Sequence, residues 1–521
     1  MRLFTSITLG SCLLTGGCMG LEHTAPAPPS QSSVIVEWKP AQDSPRTPVI
    51  QPAAAVHTEP SKTGPFRLPE GLPGADAAPI QVPSLKDLSA TEREKKVREA
   101  FPELPPLPVD QPPAIPESGK PLALADLQEI ALTKSPVIKR AEAEADSAYG
   151  LMIQAGLYPN PNIGWQADQM QPGNKRTNNA GQQGAFIQQL IKTAGKLSLA
   201  RAAAGMDFAN AQVAARRARL DVLTQVRYGY FAVLVTRETM QVSRTMTELA
   251  EEVYRLQLRL VASGEAAAYE PLQLYAQAAQ ARTLWIQAKN RNQAAWRQLG
   301  AALGEPDLPM QSLAGTADAP PPAFEADEAR ARVLESHTDI LSAQNSIMQA
   351  NLQLRLAQRT PIPDITTGTA VQHDNSNGNN QVNLQIGFAL PIYDRNQGNI
   401  RSAQALLARA GEDLRAKRND LSSRLAEAQA RASNSRVIVM NYRERVLPNL
   451  SRAYRGIYQR YQQEPDKVSF NDIVVAQQNL GQSLSAYLTA LSEQWTAIVD
   501  VANLLQIDEL YQPLPEVLPK G

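Results

Sequence analysis

The sequence predicts a mainly α-helical protein with a small β component, built from a duplicated unit in which a β-hairpin leads into a very long helix. Three observations carry this. First, positions 202 apart match: Pro159 and Pro161 recur as Pro361 and Pro363. Likewise Ile138, Ala155, Ile163, Phe186, Glu270 and Leu299 pair with Ile340, Ala357, Ile365, Phe388, Asp472 and Val501. Second, no proline lies between Pro172 and Pro271, which leaves room for an unusually long helix. Third, each repeat holds two short runs in which apolar residues alternate with polar or small ones.

Along the chain, Met1-Arg2-Leu3-Phe4 opens a short basic start and an apolar run, which reads as a secretory signal peptide over residues 1–18. Leu14-Thr15-Gly16-Gly17-Cys18 is similar to a bacterial lipoprotein cleavage site, although Thr15 stands where leucine is commonest. Cys18 is therefore the expected lipidation site, with Leu9-Gly10-Ser11-Cys12 as the alternative. No cysteine follows Cys18, so the body forms no intrachain disulfide and no thiolate metal site.

Residues 19–121 read as a proline-rich linker or arm: 21 of the chain's 39 prolines fall at or before Pro121, and proline lacks the N–H that regular elements need. Within it, Thr91–Ala100 reads as a short helix. Two matching repeats follow, 122–310 and 325–510, with Ala319-Pro320-Pro321-Pro322 at the junction. Each begins with a short helix (Leu124–Thr133; Ala326–Glu335) and a longer one (Val137–Leu157; Asp339–Gln358) that the Pro-x-Pro step ends. Strands then run over Asn162–Met170 and Ala185–Ile191, and over Asp364–Gln372 and Val382–Leu390.

In the last strand Val382, Leu384, Ile386 and Phe388 alternate with Asn383, Gln385 and Gly387. An apolar-out, polar-in strand of about ten residues suits a transmembrane barrel, but four strands cannot close one. Several copies could. Long helices follow, Thr193–Ala262 and Asn396–Gln462, the second with a kink expected at Pro448. The chain reverses near Ser263-Gly264-Glu265 and Gln463-Glu464-Pro465 and returns in shorter helices, Pro271–Leu303 and Asp472–Gln506. By length, two short helices end to end could pair with one long helix.

With 51 basic and 51 acidic residues the formal net charge is +0, which argues against a nucleic-acid-binding surface. The four histidines, His23, His57, His337 and His373, show no metal-ligand spacing. No catalytic triad, phosphate loop or dinucleotide fingerprint stands out, so neither an enzyme nor a cofactor is expected. Trp165 and Tyr393 suit a membrane edge, and Trp285, Trp296 and Trp495 suit helix packing.

This duplicated layout resembles the outer-membrane efflux proteins of the TolC family over residues 122–510. Ser135-Pro136-Val137-Ile138 and His337-Thr338-Asp339-Ile340 are similar to the family's start of the second helix. Thr193-Ala194-Gly195-Lys196 and the run from Phe388 to Gly398 are similar to its hairpin exits. Arg445-Val446-Leu447-Pro448 and Arg259-Leu260-Val261-Ala262-Ser263-Gly264 also fit.

The resemblance implies a homotrimer that shares a twelve-stranded barrel in the outer membrane above a periplasmic α-helical tunnel. It implies a periplasmic adaptor and an inner-membrane pump as partners, in the metal and multidrug branch, and no nucleic acid. Carried over, Val261, Ala262, Ser263 and Gly264 fall on one adaptor-docking tip, and Val468, Ser469 and Phe470 on the other. Asp472 matches the first acidic position of the periplasmic gate, with Tyr461 and Lys467 as candidate partners. Val475 stands where a second acid is common. Asp472 also fits a helix cap, Ser469-Phe470-Asn471-Asp472. The alternatives are a type I protein-secretion outlet and a periplasmic coiled-coil structural lipoprotein.

Overall fold

The computed structural model describes residues 88–108, 120–169, 181–267, 269–464 and 467–511, together with Pro73. The leader with Cys12 and Cys18, and most of the proline-rich arm, lie outside these residues. Contacts divide the chain between Ala78 and Pro79, and every element below belongs to the second unit.

The arm holds one helix, α1 (Ala90–Ala100). The first repeat runs α2 (Leu124–Lys134), α3 (Pro136–Ala155), β1 (Asn162–Asp168), β2 (Gln182–Ile191), α4 (Lys196–Ser263) and α5 (Glu270–Leu303). The second runs α6 (Ala326–Ser336), α7 (Thr338–Arg359), β3 (Ile365–Asp374), β4 (Asn380–Phe388) and α8 (Gln397–Asn441). A π-helical turn (Tyr442–Val446), α9 (Leu447–Gln463) and α10 (Phe470–Leu505) complete it. His373 thus lies in a strand, not in the loop where sequence put it. At 1.5 Å per residue, α4 alone is about 100 Å long.

The two short helices of each repeat do stack end to end along the long ones. Both α3 and α5 pack on α4, and both α7 and α10 pack on α4 and α8. At the first joint Gly304, with φ +81°, ends α5 against the backbone of Lys134, where an added Cβ would lie 3.1 Å from the carbonyl oxygen. At the second, Gln506 receives a hydrogen bond from Thr338 N at 3.1 Å and donates one to Thr338 Oγ1 at 2.7 Å. The core surrounds these joints. Phe231 stacks on Trp495 with ring centres 3.8 Å apart, and the indoles of Trp495 and Trp296 donate to Ala317 O and Leu308 O.

Burial gives the repeat its true register. On the returning helices Ala288, Asn292, Ala295, Leu299 and Leu303 are buried, and so are Ala490, Gln494, Ala497, Val501 and Leu505, each 202 positions later. On the descending helices the buried pairs are Leu220 with Leu421, Thr224 with Leu425 and Leu234 with Ser435, a spacing of 201. Both helices start after a left-handed residue, Gly195 (φ +69°) and Asn396 (φ +59°), again 201 apart. The π-helical turn lies between the two spacings. A π turn takes up one extra residue without breaking the helix, and this one absorbs the insertion. It immediately precedes Pro448, the kink expected from sequence.

His337 caps α7, its Nδ1 accepting from Asp339 N at 3.1 Å. Burial pushes the imidazole down to about 4; nearby Asp339 opposes this, and Arg217, Arg424 and Lys417 add to it. The folded value lies below the ordinary one, so the unfolded chain binds the extra proton. Stability from this site is full above about pH 6.5 and is lost as the pH falls toward 4. The thermal midpoint should therefore climb between pH 5 and 6.5, and His337→Asn, which keeps a capping acceptor, should flatten that climb. An identical slope in both proteins would contradict the assignment.

Candidate functional site: a two-faced sheet and a helical tip

The four strands form one antiparallel meander, β1-β2-β3-β4, so the two hairpins join through β2 and β3. Register decides which side chains share a face. Ile163, Ile187, Thr369 and Leu384 form one row, and Trp165, Ala185, Val371 and Val382 the next. Thr367 with Ile386, and Ile191 with Ile365 and Phe388, extend the same face. Its apolar side chains are bare: Leu384 is 78% exposed and Ile386 75%. A contiguous exposed apolar band of this kind marks a surface that meets lipid or another protein.

The opposite face carries Gln166, Gln188, Gln372, Gln381, Asn383 and Gln385. Gln372 donates to Asp168 at 2.9 Å and accepts from Asn383, and Gln166 also donates to Asp168 at 3.0 Å. Two glycines shape this face. A Cβ on Gly184 would sit 1.9 Å from Val371 O, so only glycine lets β2 and β3 approach there. Over Gly164 lies the ring of Phe186, 2.7 Å from where a Cβ would stand.

This corrects one pairing made from sequence. Phe186 lies on the polar face and Phe388 on the apolar face, so they are not equivalent. The spacing is 201 by the end of the hairpin, and a shift of one residue sends a strand's side chains to the other face.

At the base of the sheet Asp364, just before β3, binds Lys192 and Lys196, both at 2.8 Å, and accepts from Thr193 N at 3.0 Å. Desolvation alone would raise its pKa. The bonds from both lysines and Thr193 outweigh it and hold the carboxyl well below the usual carboxylate range. This clasp ties the exit of one hairpin to the start of the other. Sequence reasoning missed it, and its signal was charge packed against the ends of apolar strands.

About 100 Å away along α4 is the tip. Gly264 (φ +86°) ends α4, and the N–H of Glu265 returns to Leu260 O at 2.9 Å. Val261 and Ala262 are buried in the tip core, while Ser263 and Gly264 are exposed. Only the latter pair can offer itself to a partner. On the other reversal Ser469 is exposed, Val468 is half-buried, and Phe470 packs edge-on against Tyr461 with ring centres 6.0 Å apart.

Asp472 is exposed and accepts from Ser469 N at 3.1 Å, as in a helix cap. Neither candidate partner touches it within the chain: Lys467 pairs with Glu464 at 3.1 Å, and Tyr461 is held by Phe470. Among the described residues there is no cluster that could hold a metal ion, and no helix long and apolar enough to cross a membrane.

A sheet apolar on one side and polar on the other, set on a layer of helices about 100 Å long, defines a protomer of an outer-membrane channel-tunnel. Residues 127–305, which fall within the first repeat, match the family described as Outer membrane efflux protein. The chain is 24% identical over 389 residues to the cobalt-zinc-cadmium resistance protein CzcC of Cupriavidus metallidurans, covering 75% of this chain and 91% of that one. Its fold is similar to that of the outer membrane protein VceC of Vibrio cholerae (TM-score 0.61, 20% identity, 74% and 96% of the two chains). It is also similar to that of the Campylobacter jejuni CmeC outer membrane channel (TM-score 0.62, 18% identity, 74% and 85%). The match to the outer membrane efflux protein family thus falls on the first repeat, and the likeness in fold extends over about three quarters of the chain.

The two faces predict opposite responses to charge. Leu384→Arg should prevent stable membrane assembly, since an arginine facing lipid costs about 2–4 kcal/mol near the bilayer centre. Gln385→Arg, one residue along and on the polar face, should assemble normally. Heat-resistant oligomer on a gel reads both, and equal loss in the two variants would refute the assignment of faces.

Proposed function

We propose that this chain is the outer-membrane channel subunit of a tripartite efflux system and works as a homotrimer. The carrying observation is the bare apolar face of a four-stranded sheet with two unpaired edges. Three copies would bring twelve strands to one barrel, and the open sides of the helical layer, α3/α5 and α8/α9, would meet between copies. The helices would then form a tunnel through the periplasm, and the polar sheet face would line its outlet.

Such a conduit carries out no bond chemistry. Its partners would be a periplasmic adaptor at the tip and an inner-membrane pump that supplies the energy, and Cys18 would carry the lipid anchor. The similarity to a cobalt-zinc-cadmium resistance protein favours divalent metal cations as cargo over drugs. The exposed apolar strands argue against a purely periplasmic coiled-coil lipoprotein.

A susceptibility panel on a deletion strain, with and without the restored gene, tests the cargo. Restored resistance confined to divalent metals supports metal efflux. Restored resistance to dyes and antibiotics makes it a multidrug outlet. No change in either group leaves redundancy with another outlet or protein secretion as the explanation.

Asp472, Lys467 and Tyr461 are proposed as gate residues, meeting their counterparts from other copies at the tip. Asp472→Ala should raise leak, read as increased vancomycin sensitivity. Asp472→Asn keeps an oxygen that can accept from Ser469 N while removing the charge, so it separates gate from cap. A leak in both variants supports a gate. A leak in Ala alone reduces Asp472 to a cap, and none in either refutes both.

A further inference from the structure

We infer that residues 88–108 are a strap that fills the tip groove of the first repeat, leaving the equivalent groove of the second open to a partner's amphipathic helix. The second half of this statement rests on the adaptor reading above; the first does not.

The strap is built, not draped. Ser89 opens α1 by donating from N and Oγ to Glu92 at 3.0 and 2.7 Å. Most of the helix is charged, TEREKK followed by RE, yet Val97 is 0% exposed and Phe101 4%. Four positions apart, they present one apolar stripe. Both belong to a buried cluster with Val253, Tyr254, Leu258 and Leu274 of α4 and α5. Tyr254, itself 3% exposed, donates its hydroxyl to Pro102 O at 2.7 Å. Burial, with Tyr275 and Glu103 nearby, pushes that phenol up to about 12, so the bond persists at any physiological pH.

The repeat locates the matching surface. Below the π turn the spacing is 202, which pairs Glu251, Tyr254, Leu258 and Leu274 with Ala453, Gly456, Arg460 and Ala476. The latter four, with Val475, line an open groove between α9 and α10. Where the first repeat has Glu251, Tyr254 and Leu274 under a seated helix, the second has Ala453, Gly456 and Ala476, with Arg460 in place of Leu258 and no covering helix among the described residues. The occupant that fits is a helix of α1's kind, apolar at i and i+4 and charged outside, supplied by another protein.

Cysteine labelling of the full-length trimer tests this, because the body has no cysteine after Cys18. Tyr254→Cys and Gly456→Cys occupy equivalent positions, and a Cβ at Gly456 meets nothing within 4 Å. With a membrane-impermeant maleimide, Tyr254→Cys should label roughly tenfold or more slowly than Gly456→Cys. Adding Val97→Asp should bring the two rates together, and a free peptide of residues 88–108 should then slow Tyr254→Cys again. The peptide arm separates a displaced strap from a misfolded tip. Equal rates in the intact strap, or no response to Val97→Asp, would overturn the strap. Slow labelling at Gly456→Cys would overturn the open second groove. No partner is present in the assay, so a failed adaptor reading would leave these results unchanged.

Discussion

An antiparallel sheet of four strands with one bare apolar face cannot be stable by itself in either water or lipid. In water its Leu384 and Ile386 rows are exposed. In lipid the free edges of β1 and β4 would leave backbone N–H and C=O groups without partners, each costing several kcal/mol. Closure with other copies satisfies both demands at once. The helical layer has the same requirement, since α3/α5 and α8/α9 end it as open edges. One constraint, completion of edges between copies, thus governs the whole architecture from sheet to tip.

The duplicated design has to keep two halves in step over about 100 Å of helix. The hairpin of the second repeat is one residue shorter in effect, which sets the spacing of the descending helices at 201. The returning helices need 202 for their buried faces to match. The π turn at Tyr442–Val446 reconciles them. Without it, every side chain of α9 would turn by about 100° relative to the repeat. The turn therefore decides which residues face the tip groove, and a local irregularity near Pro448 has its consequence at the functional end.

Much of this was legible in the sequence. The alternation from Val382 to Phe388 identified the strand and its two faces, because a two-residue period survives wherever one face meets an apolar medium. The proline-free stretch identified α4, and the Pro-x-Pro steps ended α3 and α7. Less legible was whatever lies beyond the apolar band. β2 starts at Gln182, not Ala185, because its polar end pairs with Asp374 and His373 and carries no periodic signal. The one-residue slip between Phe186 and Phe388 was hidden because both are phenylalanine. Val97 and Phe101 lie in a charged, proline-rich arm whose composition carries no sign of packing; only the packed tip reveals their role. Val261 and Ala262 sit at the expected reversal but face inward.

The central claim is that single chains are incomplete and that three of them close one barrel. Recording purified full-length protein in a planar lipid bilayer tests it most directly. The account predicts discrete conductance steps from a species with the mass of a trimer. A protein that remains monomeric and yields no steps at any density in the bilayer would contradict it.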